Sequence, residues 1–269
     1  MIPNILSVAG SDPSGGAGIQ ADIKSISAND GYAMAAITAL TAQNTQGVSG
    51  AQFIAPEFII QQIDSVFDDI HVNAVKVGML GSADITTSVS HCLRQKQHLH
   101  STPIVVDPVM VAKGGDRLLA KDAVASLRDD LLPIAQLITP NLPEAADLLE
   151  CSEATSREQM HAQAHRLLEL GPDAVLLKGG HLGGDQSPDL LITEGIEHWL
   201  EAPRIRTQNT HGTGCTLSSA LACQLAKTQD LVLAVEAAKT FMLAAIAAAD
   251  DLSVGEGIGP VDHFYSLRT

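Results

Sequence analysis

The segment Asn209-Thr210-His211-Gly212-Thr213-Gly214-Cys215-Thr216 runs a glycine-flanked turn directly into an alanine-rich stretch with helical spacing. Successive N–H groups at a helix start form a nest for an anion, and the helix dipole adds to their pull. Gly212, Thr213 and Gly214 therefore read as an anion hole of phosphate size. Cys215 falls in the first helical turn, where a thiol pKa is expected below its free value of about 8.5. A partly ionised thiol beside an anion hole can act as a general base toward a hydroxyl. The usual fate of a free cysteine is burial as an inert apolar group, and that is the reading for Cys92, Cys151 and Cys223.

Four further segments place polar groups at the ends of apolar runs. Asp107 follows Ile104-Val105-Val106, and a carboxylate there needs a partner to offset its burial. Mg²⁺ is one such partner, since it favours one or two carboxylates plus phosphate oxygens; a turn cap is the other. In Thr139-Pro140-Asn141-Leu142-Pro143-Glu144 the spacing of Asn141 and Glu144 fits a capping box. The same two residues can instead face Mg²⁺ and nucleotide phosphates beside Asp107, and both readings stand. Lys178-Gly179-Gly180-His181 sets an ammonium at a sharp turn, where it can offset phosphate charge. The loop of residues 9–18 has the glycines for close backbone approach to a ligand, or simply for a tight turn and a helix cap. It is neither a Walker loop nor a dinucleotide fingerprint, because no Lys-Ser/Thr pair follows Gly15 and the G-x-G-x-x-G spacing is missing. His71, His91, His98, His100, His161 and His165 read as surface residues without metal-ligand spacing, and His211 is set apart only by adjoining the anion loop.

The elements needed to hold these groups alternate along the chain. Residues 5–10 form a short apolar run, and a helical pattern carrying Ile19, Ile23 and Ile26 follows the glycine loop. Pro56 opens a second helix with Phe58, Ile59, Ile63, Val66 and Phe67. Residues 74–77, 104–106, 137–139 and 174–177 read as central strands, apolar on both faces. Between them lie helical stretches at 82–97, 121–132, 143–149 and 156–170. Residues 190–193 and 198–200 read as a hairpin, and two long helices follow at 214–226 and 231–250. This alternation implies an α/β fold, a three-layer α/β/α sandwich with a mostly parallel central sheet, in one domain over residues 1–269. Ligands in such sheets bind beyond the carboxyl ends of the strands.

Composition narrows the partners. Of 269 residues 45% are hydrophobic, 17% charged and only 3% aromatic, so aliphatic side chains must do most of the packing. The formal net charge of −15 repels nucleic acid and anionic membranes. No two of the four cysteines have C-x-x-C spacing. A reducing cytoplasm is the expected setting. The first residues lack the basic start of a signal peptide, and no uninterrupted apolar run approaches the roughly 20 residues that span a bilayer.

The segments AGSDPSGGAGIQADIK, ITALTAQNTQGV, KVGML, VVDPVM, LITPNLPEA, VLLKGGH, NTHGTGCTLSSA and GEGIGPV together resemble the bacterial hydroxymethylpyrimidine/phosphomethylpyrimidine kinases of thiamine biosynthesis, a branch of the ribokinase-like superfamily. They occur in family order and reach from the first strand nearly to the last residue. The resemblance implies a kinase that uses ATP and Mg²⁺ to phosphorylate an aminopyrimidine alcohol and then its monophosphate. It implies that Gly10, Gln43, Met79 and Val109 surround the pyrimidine, with Gln43 on its polar edge. Asp107 and Glu144 would manage Mg²⁺ with Asn141, Lys178 would steady the ATP phosphates, and Cys215 would activate the hydroxyl beside the anion hole of Gly212, Thr213 and Gly214. Sugar kinases of the superfamily carry an aspartate where Cys215 stands. Relatives suggest a homodimer. A pyridoxal kinase is the nearest alternative, since it shares the fold and a ring bearing a hydroxymethyl group. A non-catalytic binding protein of the same fold would show a degraded anion loop, and this loop is intact.

Overall fold

Strands whose neighbouring residues are all apolar can satisfy both faces only inside a sheet covered on two sides. The computed structural model, which describes residues 2–110 and 121–268, builds such a sheet. In chain order the strands are β1 (Asn4–Ala9), β2 (Tyr32–Ile37), β3 (Ala39–Asn44), β4 (Gly47–Phe53), β5 (Ala74–Val77), β6 (Ile104–Val106), β7 (Leu137–Ile138), β8 (Val175–Lys178), β9 (Asp189–Ile192) and β10 (Glu197–Leu200). The main sheet has the order β10-β9-β8-β7-β6-β5-β1-β2. From β2 to β8 every pairing is parallel, and β9 and β10 extend the edge as an antiparallel hairpin. β3 and β4 pair separately as a hairpin whose register shifts between Ala42 and Gln43.

The helices are α1 (Gly18–Ala28), α2 (Pro56–Phe67), α3 (Ala83–His100), α4 (Lys121–Ser126), α5 (Leu142–Leu149), α6 (Arg157–Leu168), α7 (Thr213–Thr228) and α8 (Leu231–Ala247). Ser82, Ser156 and Asp230 cap α3, α6 and α8 by accepting a first-turn N–H, and Pro56 starts α2. Alternate strand residues feed two cores. Leu6, Val75, Val106 and Leu177 pack with Ile59, Val89, Leu148 and Leu167 on one face. Ile5, Ala74, Val105 and Leu176 pack with Ile26, Leu221 and Ala238 on the other. That is the expected three-layer sandwich. By length and composition α8, extended to Asp251, is apolar enough to cross a membrane. Glu236 and Lys239 interrupt it, and Ala234, Val235, Ala238 and Ala245 are buried in the second core.

Four expectations need correction. Ile23 is 39% exposed, while Asp22 beside it is buried. β5 is not apolar throughout, because Lys76 lies fully buried in it. The helix expected over 121–132 ends at Ser126 and continues as a wide turn at Leu127–Leu131 and a tight one at Leu132–Ile134. Finally, β2, β3 and β4 carry too little β signal to be read as strands: YAMAAI is alanine-rich, and glycine interrupts GVSGAQF.

The topology fixes where a ligand goes. β1 and β5 are neighbours, and the chain runs from β1 to β2 on one side and from β5 to β6 on the other. A crevice opens beyond the strand ends at such a reversal.

Candidate active site

A cleft of about 740 Å³ lies over these strand ends. Gly10, Gln43, Met79, Asp107, Val109, Asn141, Glu144, Lys178, Gly212, Thr213, Gly214 and Cys215 all line it. The structure thus brings together every residue singled out from the sequence.

The charged floor comes from β6, β8 and the start of α5. Asp107 is only 1% exposed; its Oδ1 accepts from Lys178 Nζ at 3.0 Å and from the Thr139 hydroxyl at 3.1 Å. Lys178 also lies 4.0 Å from Glu144 Oε2. Burial opposes its charge, but Asp107 and Glu144 outweigh burial and raise its pKa. Glu144 shows the reverse: burial, helped by Asp107 and opposed by Lys178, lifts its pKa from 4.5 to about 7. One ammonium cannot neutralise both carboxylates. This surplus of buried negative charge, on hard oxygen donors, fits a Mg²⁺ ion that shares its remaining positions with phosphate.

Asn141 and Glu144 do form a capping box: Asn141 Oδ1 accepts from the Glu144 N–H and Glu144 Oε2 from the Asn141 N–H, both at 2.8 Å. The two readings of this pair are compatible, since each side chain has a second polar atom beyond those the cap uses.

Across the gap stands the anion loop. Gly212 has φ +77° and caps α7, and a Cβ there would lie 1.8 Å from the Gly16 carbonyl oxygen. No other residue fits. The loop is tied down by the His211 N–H, which donates to the Gly259 carbonyl. A second tie runs from the Thr216 hydroxyl to Gly212 O and to His263 Nε2. Burial and Lys24 lower the His263 pKa to about 4, so its ring is neutral.

Cys215 sits half-buried in the first turn of α7, as its spacing implied. Its acidity is a correction. Burial raises the thiol to about 11; Lys76 and the Gly18 N–H oppose this, but Asp22 and Asp107 add to it. The helix start and the nearby lysine do not overcome desolvation among carboxylates, so the resting thiol keeps its proton.

The opposite end of the cleft is organised by a pair that spacing alone did not reveal. His211 Nε2 lies 2.8 Å from Asp12 Oδ2, both buried. Asp12 also accepts from the N–H groups of Ser14, Gly16 and Ala17. Burial works against its charge, yet the bonds from His211 and Ser14 hold its pKa at about 2. Asp12 thereby stitches the glycine loop to the anion loop. The available signal was an aspartate two residues before Ser14 in a glycine-rich turn, a pattern for closing local backbone bonds. Gln43 Nε2 comes within 3.4 Å of His211 Nε2. With that ring nitrogen donating to Asp12 and the Thr41 hydroxyl donating to Gln43 Oε1 at 3.3 Å, the Gln43 NH2 is left to face a ligand. The close packing of Gly10 serves the same end, since a Cβ there would strike Met79 Cε at 2.4 Å.

Behind the site Lys76 Nζ contacts both oxygens of Asp22 at 2.9 Å, and Asp22 also accepts from Ser7 and Ser219. Asp189 accepts the Gly179 N–H and pairs with Lys239, steadying the turn after Lys178. Neither pair was read from the sequence.

Residues 12–262 match the sequence family described as phosphomethylpyrimidine kinase. The hydroxymethylpyrimidine/phosphomethylpyrimidine kinase of Escherichia coli is 51% identical over 98% of both chains. Among solved structures, an ADP complex of Bacillus subtilis pyridoxal kinase superposes with a TM-score of 0.90 at 34% identity over 100% of both chains. A phosphomethylpyrimidine kinase from Clostridium difficile superposes at 0.79 with 39% identity, covering 91% of this chain and 100% of that one.

Proposed function

The chain belongs to the phosphomethylpyrimidine kinase family, and from that membership we propose that it phosphorylates a hydroxymethylpyrimidine and then its monophosphate, with ATP as donor. One observation carries the reading. A Cβ on Gly214 would lie 3.0 Å from Asp107 Oδ2 and 3.6 Å from Lys178 Nζ, so the anion hole and the charged floor are two walls of one gap. Phosphoryl transfer needs positioning and charge neutralisation more than covalent chemistry, and that gap supplies both.

The roles follow from position. Gln43, Met79, Val109 and the backbone at Gly10 hold the pyrimidine ring, with the Gln43 amide on its polar edge. The N–H groups at Gly212, Thr213 and Gly214 receive the phosphoryl group in transit, and Lys178 offsets charge on its oxygens. Asp107 and Glu144 would hold Mg²⁺, with Asn141 beside the nucleotide phosphates, and the ion would supply neutralisation of phosphate charge there. Cys215 keeps its proton at rest, so it must first release that proton to solvent; as thiolate it then accepts the proton of the substrate hydroxyl as that oxygen bonds to phosphorus. Both transfers are assigned to one domain spanning residues 1–269, acting in the cytoplasm as a homodimer.

A second reading has support in the TM-score of 0.90 to a pyridoxal kinase. Sequence favours the pyrimidine, at 51% identity against 34%. Mass spectrometry of products from hydroxymethylpyrimidine or pyridoxal with Mg-ATP separates the two. Mono- and diphosphate of the pyrimidine are expected, and a clear preference for pyridoxal would overturn the assignment.

A further inference from the structure

On the side of the molecule formed by α6 and the edge strand β10, three ligand-type side chains converge. His161 and His165 are four residues apart on α6, which puts both imidazoles on one face. Met160, Ala164 and Leu167 bury the opposite face and fix the helix against the sheet. Glu197 opens β10 and reaches across to them. His161 Nε2 lies 3.0 Å from Glu197 Oε2 and 3.3 Å from His165 Nε2. The three atoms all fall within 4.8 Å of one another.

A single proton on His161 Nε2 can be donated to Glu197 and shared with the His165 lone pair. A cation that takes a lone pair from each of the three atoms serves them equally. The spacing suits one: tetrahedral bonds of about 2.0–2.1 Å to zinc-type metals imply ligand atoms roughly 3.3–3.4 Å apart, close to the two observed separations. Two imidazoles and a carboxylate suit borderline dications of the Zn²⁺ and Ni²⁺ class rather than Mg²⁺ or Ca²⁺. A net charge of −15 raises the local concentration of any cation.

We propose that His161, His165 and Glu197 form a binding site for a transition-metal dication that fastens α6 to β10. None of the three lines the cleft, so this site is distinct from the Mg²⁺ position assigned to Asp107 and Glu144. Its consequence is structural. Among the described residues β10 has a neighbour in the sheet on one side only. A metal bound to the folded state alone raises stability by mass action, and here it would pin that strand to a helix.

The test is titration of the full-length protein with NiCl₂, and separately ZnCl₂, by calorimetry and thermal melting in the presence of Mg²⁺. One equivalent is expected to bind and to raise Tm by several degrees. His165→Ala and Glu197→Gln should each weaken binding by at least the roughly 10–100-fold that loss of even an outer-shell partner costs elsewhere. Cys215→Ala should leave it intact, and Mg-ATP turnover should be unchanged in His165→Ala. Binding that persists equally in His165→Ala and Glu197→Gln would place the metal elsewhere and overturn the proposal. Wild-type protein that binds neither metal would show the cluster to be an ion pair only, with the same result.

Discussion

Lys76 on β5 and Lys178 on β8 are both buried beside carboxylates, yet their surroundings differ in charge balance. Lys76 faces one carboxylate, Asp22, whose oxygens are further occupied by the hydroxyls of Ser7 and Ser219. Charge and hydrogen bonds close on themselves there. Lys178 faces two, Asp107 and Glu144, and burial, with Asp107 adding to it, pushes Glu144 to about 7 in spite of Lys178. A closed pair is scaffold. An unbalanced cluster opening on a cleft is primed for a cation and an anionic ligand. Cys215 lies where the two regions meet, since its acidity responds to Lys76, Asp22 and Asp107 together.

The largest effect expected is at that meeting point. Cys215→Ala should lower kcat on the order of 10²–10⁴-fold, the usual range for loss of a general base, with little change in Tm. Turnover near the wild-type value would remove Cys215 from proton transfer. Lys76→Met tests the closed pair. It leaves Asp22 buried without its cation, which should cost about 3–5 kcal/mol of stability in denaturant unfolding. The double variant Lys76→Met/Asp22→Leu should recover much of that, and no recovery would mean that the pair is not self-contained.

The open cluster is read through pH. On the proposed role, metal binding needs ionised Glu144, so kcat/KM for Mg-ATP should fall about tenfold per unit as pH drops below about 7. Glu144→Gln should abolish that limb, and a limb unchanged in the variant would assign it to another group. The smallest effect is on stability. Between 4.5 and about 7 the folded protein keeps a proton on Glu144 that the unfolded chain has released. This group's contribution to stability is therefore full below that window and is lost as pH rises through it. Ligand-free Glu144→Gln should melt above wild type at neutral pH, and the gain should shrink toward zero near pH 4.5. A variant that melts lower at neutral pH would mean Glu144 is not strained by burial.

Much of the site was legible because its signals are local. Gly212 needs positive φ, Asn141 and Glu144 have cap spacing, and Asp107 and Lys178 end apolar runs. The misses are groups whose meaning depends on distant partners. Lys76 looks like an ordinary lysine until Asp22 and Ser219 are placed around it. His211 becomes a strut only once Asp12, 199 residues away in sequence, lies against it. His161 and His165 have helical spacing, but Glu197 arrives from another element. β2 to β4 escaped notice because tertiary pairing, rather than propensity, makes them strands.

The sequence by itself determined the layered α/β fold, the anion loop, the residues around the cleft and, by resemblance, the kinase family. These depend on periodicity, on glycine conformation and on motif order, all of which are written in neighbouring residues. Only the tertiary structure decided the charge states. It raised the Cys215 thiol to about 11 and Glu144 to about 7, against the acidity expected of a thiol at a helix start. Desolvation and the summed field of distant charges set those values, and neither exists until the chain has folded.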